Sequence, residues 1–80
     1  MSRKIWTSKA PPLDWAEVGR RIRQLRGFDM TQGEFAKRIG VSQSYLSAIE
    51  HGRNEVGAEV LLAISREFGK SIEWLLTGKE

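Results

Sequence analysis

Cysteine is absent from this 80-residue chain and histidine occurs once. No disulfide framework, thiolate metal site or cysteine nucleophile can therefore be built, and one His cannot assemble a zinc site alone. Neither a metal nor a cofactor is expected. Long apolar runs are also missing: the longest lies around "VLLAI", far below the roughly 20 residues of a membrane span. The N-terminus lacks the apolar segment of a secretory signal. A cytoplasmic chain without membrane contact or an evident small-molecule ligand is the expectation. No period-two strand pattern, internal repeat or low-complexity tract occurs, which excludes a sheet or solenoid and leaves an all-α chain. Eighty residues, 40% of them hydrophobic, can bury one core and no more.

What is present is an uneven distribution of charge. The formal net charge is +3, and residues 1–13 hold all of it in Arg3, Lys4 and Lys9 with no acid. The rest of the chain balances ten bases against ten acids, but the signs separate. From Arg20 to Arg53 the bases Arg20, Arg21, Arg23, Arg26, Lys37, Arg38 and Arg53 leave +4, whereas the remainder from Asn54 is −2. One side of the molecule is thus expected to be basic, either to meet an anionic partner or to keep the surface soluble.

The opening "MSRKIWTSKAPP" has two adjacent prolines and no helical period, so residues 1–13 are expected to form a flexible basic arm ahead of a domain at 14–80. "DWAE" is a capping-box pattern for a first helix over Trp15–Arg26, with Trp15, Val18, Ile22 and Leu25 inward. "TQGE" is a second box, with Thr31 as cap and Phe35, Ala36 and Ile39 as the buried stripe of helix 2. Gly33 in that first turn is unfavourable by propensity, and reflects either close approach of another backbone or nothing. Gly40 ends helix 2 and Ser42 caps helix 3. The turn is so short that a sharp crossing is required. Helix 3 spans Gln43–Glu50 with Leu46 and Ile49 inward; "AEVLLAISREF" and "IEWLLT" give helices 4 and 5.

Steps of three and four place Gln43, Ser44, Ser47, Ala48 and His51 on one face of helix 3, opposite Leu46 and Ile49. Glu and Lys would serve solubility with better helix propensity, so an uncharged face of small polar groups needs another reason. Such groups suit a confined DNA groove: Gln bonds adenine bidentately, Ser is adaptable, and an Ala methyl meets a thymine methyl. An ordinary surface patch is the competing account.

Through "TQGEFAKRIGVSQSYLSAIEHGRN", "LLAISREFG" and "IEWLLTG", the stretch Val18–Gly78 resembles the helix-turn-helix domain of phage repressor, Cro and Xre-type regulators. The resemblance implies a compact five-helix, lambda-repressor-like domain whose helix 3 enters the major groove while helix 2 crosses the phosphate backbone. It carries base reading onto Gln43, Ser44 and Ser47, and phosphate contact onto Gln32, Tyr45 and Arg53. The implied function is sequence-specific transcriptional regulation, as a repressor, by a homodimer on a palindromic double-stranded operator. Trp74, Leu75 and Leu76 are the candidate dimer contacts. The rival from another class is a protein-interaction module, such as an antitoxin or an accessory regulator that reaches DNA only with a partner. Two departures stand out: "RGFDMTQ" is one residue shorter than the common connection, leaving Phe28 unplaced, and Val56-Gly57 replaces the frequent Pro-Ser, which predicts a weakly started helix 4.

Arg26 and Glu50 each fall on a semi-buried helix edge, suggesting a pair, and the resemblance implies a structural salt bridge there. Ser47 and His51 lie four apart, but no orienting acid or oxyanion donor accompanies them, so no enzyme is expected. Trp15, Phe35, Phe68 and Trp74 sit at core spacing. Trp6, isolated in the arm, is either an anchor on a partner or a flap docked on its own domain. The arm cations Arg3, Lys4 and Lys9 either contact DNA or form a solubility tail.

Overall fold

A computed structural model describes residues 13–79. The readings at Arg3, Lys4, Trp6 and Lys9 lie outside the described residues. Five helices follow in order: α1 (Trp15–Arg26), α2 (Gln32–Ile39), α3 (Gln43–Glu50), α4 (Ala58–Phe68) and α5 (Ile72–Thr77). No strand occurs among the described residues.

Capping sets the boundaries. The Thr31 hydroxyl accepts from the Glu34 N–H at 3.1 Å while the Glu34 carboxylate accepts from the Thr31 N–H at 2.9 Å, so the second box is complete. The first is only half made. Asp14 accepts from the N–H groups of Ala16 and Glu17, but the Glu17 carboxylate turns forward to pair with Arg20 one turn on. A cation three residues away competes with the cap's single N–H and wins. Ser42 and Ser71 cap α3 and α5 by accepting from Tyr45 and Trp74. Gly57 precedes α4 without any side-chain cap, and Val56 is buried beside it, so packing rather than capping starts that helix.

Val18, Ile22, Phe35, Leu46, Ile49, Ile64 and Leu75 are fully buried and define the core. The Phe35 and Phe68 rings stack at 4.7 Å and join α2 to α4. Trp15 and Trp74 pack on the core's margin rather than inside it. Helix α1 lies against α3 and α5, α2 against α3 and α4, and α4 against α5.

The backbone approach anticipated at Gly33 occurs elsewhere. A Cβ on Gly33 would meet only side-chain atoms, Gln43 Oε1 at 3.5 Å and Thr31 Oγ1 at 3.8 Å. A Cβ on Gly19 would instead collide with the Ile49 carbonyl oxygen, so α1 crosses α3 backbone to backbone at a position that only glycine allows. Leu75 is fully buried and is a core residue, which removes it from the candidate dimer contacts; Trp74 and Leu76 remain half-buried.

Candidate nucleic-acid interface

Gly40, in the left-handed conformation at φ 78°, donates its N–H back into the last turn of α2 and lets the chain reverse within three residues. Ser42 then restarts the helix. This turn fixes α3 across α2 and turns Leu46 and Ile49 into the core. On its other side α3 presents Gln43 and Ser44, both exposed, and Ser47 and Ala48, both half-buried. The face is uncharged along its length, as its composition requires.

The carboxamide of Gln43 rests over the first turn of α2, where the missing side chain of Gly33 leaves room for it. Ser47 is used at its backbone: His51 Nδ1 lies 2.8 Å from the Ser47 carbonyl oxygen. A carbonyl only accepts, so Nδ1 carries the proton and cannot act as a base toward Ser47. Arg53 is exposed just beyond α3, its N–H donating to the Ala48 carbonyl at 2.9 Å. Tyr45 is half-buried against the core.

Beneath this face lies an ion pair. Arg26 donates through Nε and Nη2 to the two oxygens of Glu50 at 2.8 and 3.0 Å, and through Nη1 to the Met30 carbonyl at 3.2 Å. The Glu50 side chain is only 1% exposed and that of Arg26 14%. Burial alone would raise the Glu50 pKa, but hydrogen bonds from Arg26 and Gln32 and the charges of Arg26 and Arg23 outweigh it and leave the carboxyl below its ordinary range. The Glu50 hydrogen bond raises the Arg26 pKa against the opposing effect of burial.

The resemblance implies a phosphate-side position for Gln32, and the structure gives it a second role. Its Nε2 donates to Glu50 Oε1 at 3.0 Å, so the same carboxylate that holds α1 to α3 also orients this amide. One amide hydrogen remains for an outside acceptor.

The structure also redistributes the basic charge. Arg21, counted with the surface cations, donates to the carbonyls of Leu75 and Leu76 at 3.0 Å each and ties α1 to the end of α5. Arg20 pairs with Glu17, and Arg38 lies 3.8 Å from Glu67 with its guanidinium 6.0 Å from the Phe68 ring centre. Sequence reasoning missed Arg21 because its partners are backbone carbonyls 54 and 55 residues away, which leave no compositional mark.

With this geometry the comparisons agree. The Helix-turn-helix family model matches residues 20–75. The chain belongs to the helix-turn-helix family. It is 39% identical over 63 residues to a propionyl-CoA carboxylase regulator of Cereibacter sphaeroides, spanning 78% of this chain and 14% of that protein. It is 38% identical over 55 residues to the antitoxin PezA of Streptococcus pneumoniae, spanning 68% of this chain and 35% of that protein. Among solved structures, the P22 c2 repressor in complex with a synthetic operator superposes with a TM-score of 0.72 at 35% identity, covering 78% of this chain and 96% of the repressor. The phage-repressor and Xre-type resemblance and the five-helix fold are therefore facts of this chain. The helix-turn-helix family comprises DNA-binding regulators rather than enzymes. No helix among the described residues is long and apolar enough to cross a membrane.

Proposed function

We propose that this chain is a DNA-binding transcriptional regulator that reads a double-stranded operator through α3 in the major groove. The observation that carries the reading is the uncharged exposed face of α3, set by a three-residue turn across α2. Gln43, Ser44 and Ser47 read base edges; Gln32, oriented by Glu50, together with Tyr45 and Arg53, contacts phosphates. The phage repressor with operator bound supports the docking geometry.

A homodimer on a palindrome is the working assembly, since one such domain buries too little groove for tight specific binding and two half-sites add their free energies. Trp74 and Leu76 are the dimer candidates that remain half-buried. Repression is the proposed outcome of operator occupancy. The arm cations Arg3, Lys4 and Lys9 add phosphate contacts, each steepening the salt dependence by about 0.9 in log affinity against log salt.

The decisive experiment is selection of duplexes from a random pool by the whole chain, followed by affinity measurement across salt. An enriched motif with steep salt dependence supports the reading. The PezA likeness favours a second reading, an interaction module that binds DNA only with a partner. A stable heterocomplex, with no motif enriched by the chain alone, would select that one.

A further inference from the structure

We infer that Phe28 is an apolar contact to the sugar-phosphate backbone of DNA flanking the half-site, an inference that rests on the proposed reading by α3. Phe28 is 106% exposed, so its ring has no partner among the described residues, whereas Phe35 and Phe68 stack on each other. A large apolar ring held fully in water forgoes the burial that would stabilise it in a partner's surface.

The segment that carries it is fixed in place. Arg26 Nη1 donates to the Met30 carbonyl and closes Gly27, Phe28 and Asp29 into a three-residue bulge. The same guanidinium grips Glu50 at the end of α3, so the bulge has a set position relative to the reading helix.

Two cations beside the ring that are not in an ion pair among the described residues, Arg23 and Lys37, suit an anionic occupant. The cleft on one side of the ring is lined by Arg20, Arg23, Gln24 and Gly27, with no acid in the lining. The other side is lined by Arg26, already held by Glu50, by Arg38 beside Glu67, and by Lys37, Asp29 and Glu34. With Arg23 on one side and Lys37 on the other, the ring suits a backbone that alternates deoxyribose carbons with phosphates: the carbons take the ring, and the phosphates take the cations, as they take much of the hydrogen bonding from proteins to DNA. An acidic protein segment would share the charge. DNA is favoured by place: Glu50 also orients Gln32, the proposed phosphate contact, only two residues beyond the bulge's closing residue Met30. A duplex held by Gln32 and α3 runs on past Phe28.

The test uses the whole chain and two duplexes carrying the selected motif, one ending at the motif and one extended by about one helical turn, roughly 10 base pairs, on each side. Phe28→Ala is expected to weaken the extended duplex by about tenfold, the equivalent of losing part of one buried aromatic. The short duplex should keep its affinity, and thermal melting should not change. Because the ring is uncharged, the salt slope stays the same in Phe28→Ala but becomes shallower by about 0.9 in Arg23→Gln. Phe28→Leu should retain most of the binding.

Equal affinity of wild type and Phe28→Ala for the extended duplex would overturn the inference and leave the proposed function standing. Equal weakening on both duplexes would overturn it too, by placing Phe28 inside the motif. Tight wild-type binding to polyglutamate, lost in Phe28→Ala, would assign the surface to an acidic protein. Failure of the wild type to bind either duplex would remove the proposed function and this inference together.

Discussion

Glu50 and Arg26 meet through two parallel hydrogen bonds of 2.8 and 3.0 Å, with the carboxylate sealed from solvent. The fork geometry of a guanidinium fits a carboxylate in this way, and its third side reaches the Met30 carbonyl. Three elements are thereby joined: the end of α1, the entry to α2 and the end of α3. Gln32 completes the set on the same carboxylate.

Removing one member should strand the other. Arg26→Ala or Glu50→Ala is expected to destabilise the fold by about 3 to 5 kcal/mol, and the double variant by clearly less than the sum. Urea denaturation of the four proteins of the cycle measures this. Additive losses below 1 kcal/mol, on the order of surface pairs, would mean that the two groups are solvated in solution.

Acid should weaken this junction in a defined direction. The Glu50 carboxyl is held below its reference pKa of 4.5 by Arg26, Gln32 and nearby Arg23, against the opposing effect of burial. A depressed folded pKa contributes stability that is fully present above the unfolded value and disappears as pH falls through the folded value. Wild-type stability should therefore fall more steeply below pH 4.5 than that of Glu50→Gln, whose amide does not titrate. Parallel pH profiles in denaturant melts would count against an ionised Glu50.

At the reading face, Gln43→Ala is expected to lose about 1 to 3 kcal/mol on the selected operator and to blur preference at one base pair per half-site. Affinity for random duplex should hardly move. Equal weakening on both would reassign Gln43 to the DNA backbone.

Gly33→Ala tests how that glutamine is positioned. The new Cβ would touch Gln43 Oε1 at 3.5 Å, an ordinary contact that narrows the carboxamide's freedom without forcing the helices apart. Melting temperature should rise, since Ala is favoured over Gly by up to about 1 kcal/mol in a helix. Base preference at the Gln43 position should change, and the change should vanish in a Gln43→Ala background. A preference profile identical to wild type would separate the two residues.

Gly19→Ala should act in the opposite sense. Its Cβ would collide with the Ile49 carbonyl oxygen, and a backbone atom in a packed helix cannot step aside as a side chain does. A loss of at least about 1 to 3 kcal/mol is expected despite the better helix propensity. Chemical denaturation measures it, and an unchanged or raised midpoint would show that α1 and α3 separate freely.

The local signals in the sequence determined the five helices, since caps and glycine stops act within four residues: Thr31 with Glu34, Ser42, Ser71 and Gly40 all do locally what their types require. Period alone also set the inward stripes and the uncharged face of α3, and the edge positions of Arg26 and Glu50 pointed to their pairing. What lay beyond reach depended on neighbours distant in the chain. Glu17 fits a capping box by position, but the proximity of Arg20 decides where its carboxylate points. Arg21 looks like any surface cation until α5 brings its carbonyls alongside. Gly33 and Gly19 are equally unfavourable as helix residues, yet only the crossing of α1 over α3 makes the second indispensable. Leu75 has the side chain of an interface residue, and the packing of α5 on α1 and α4 places it in the core instead. Local hydrogen bonding and periodicity are properties of a short segment, whereas who meets a given charge, carbonyl or methyl is settled only when separate helices share one interior.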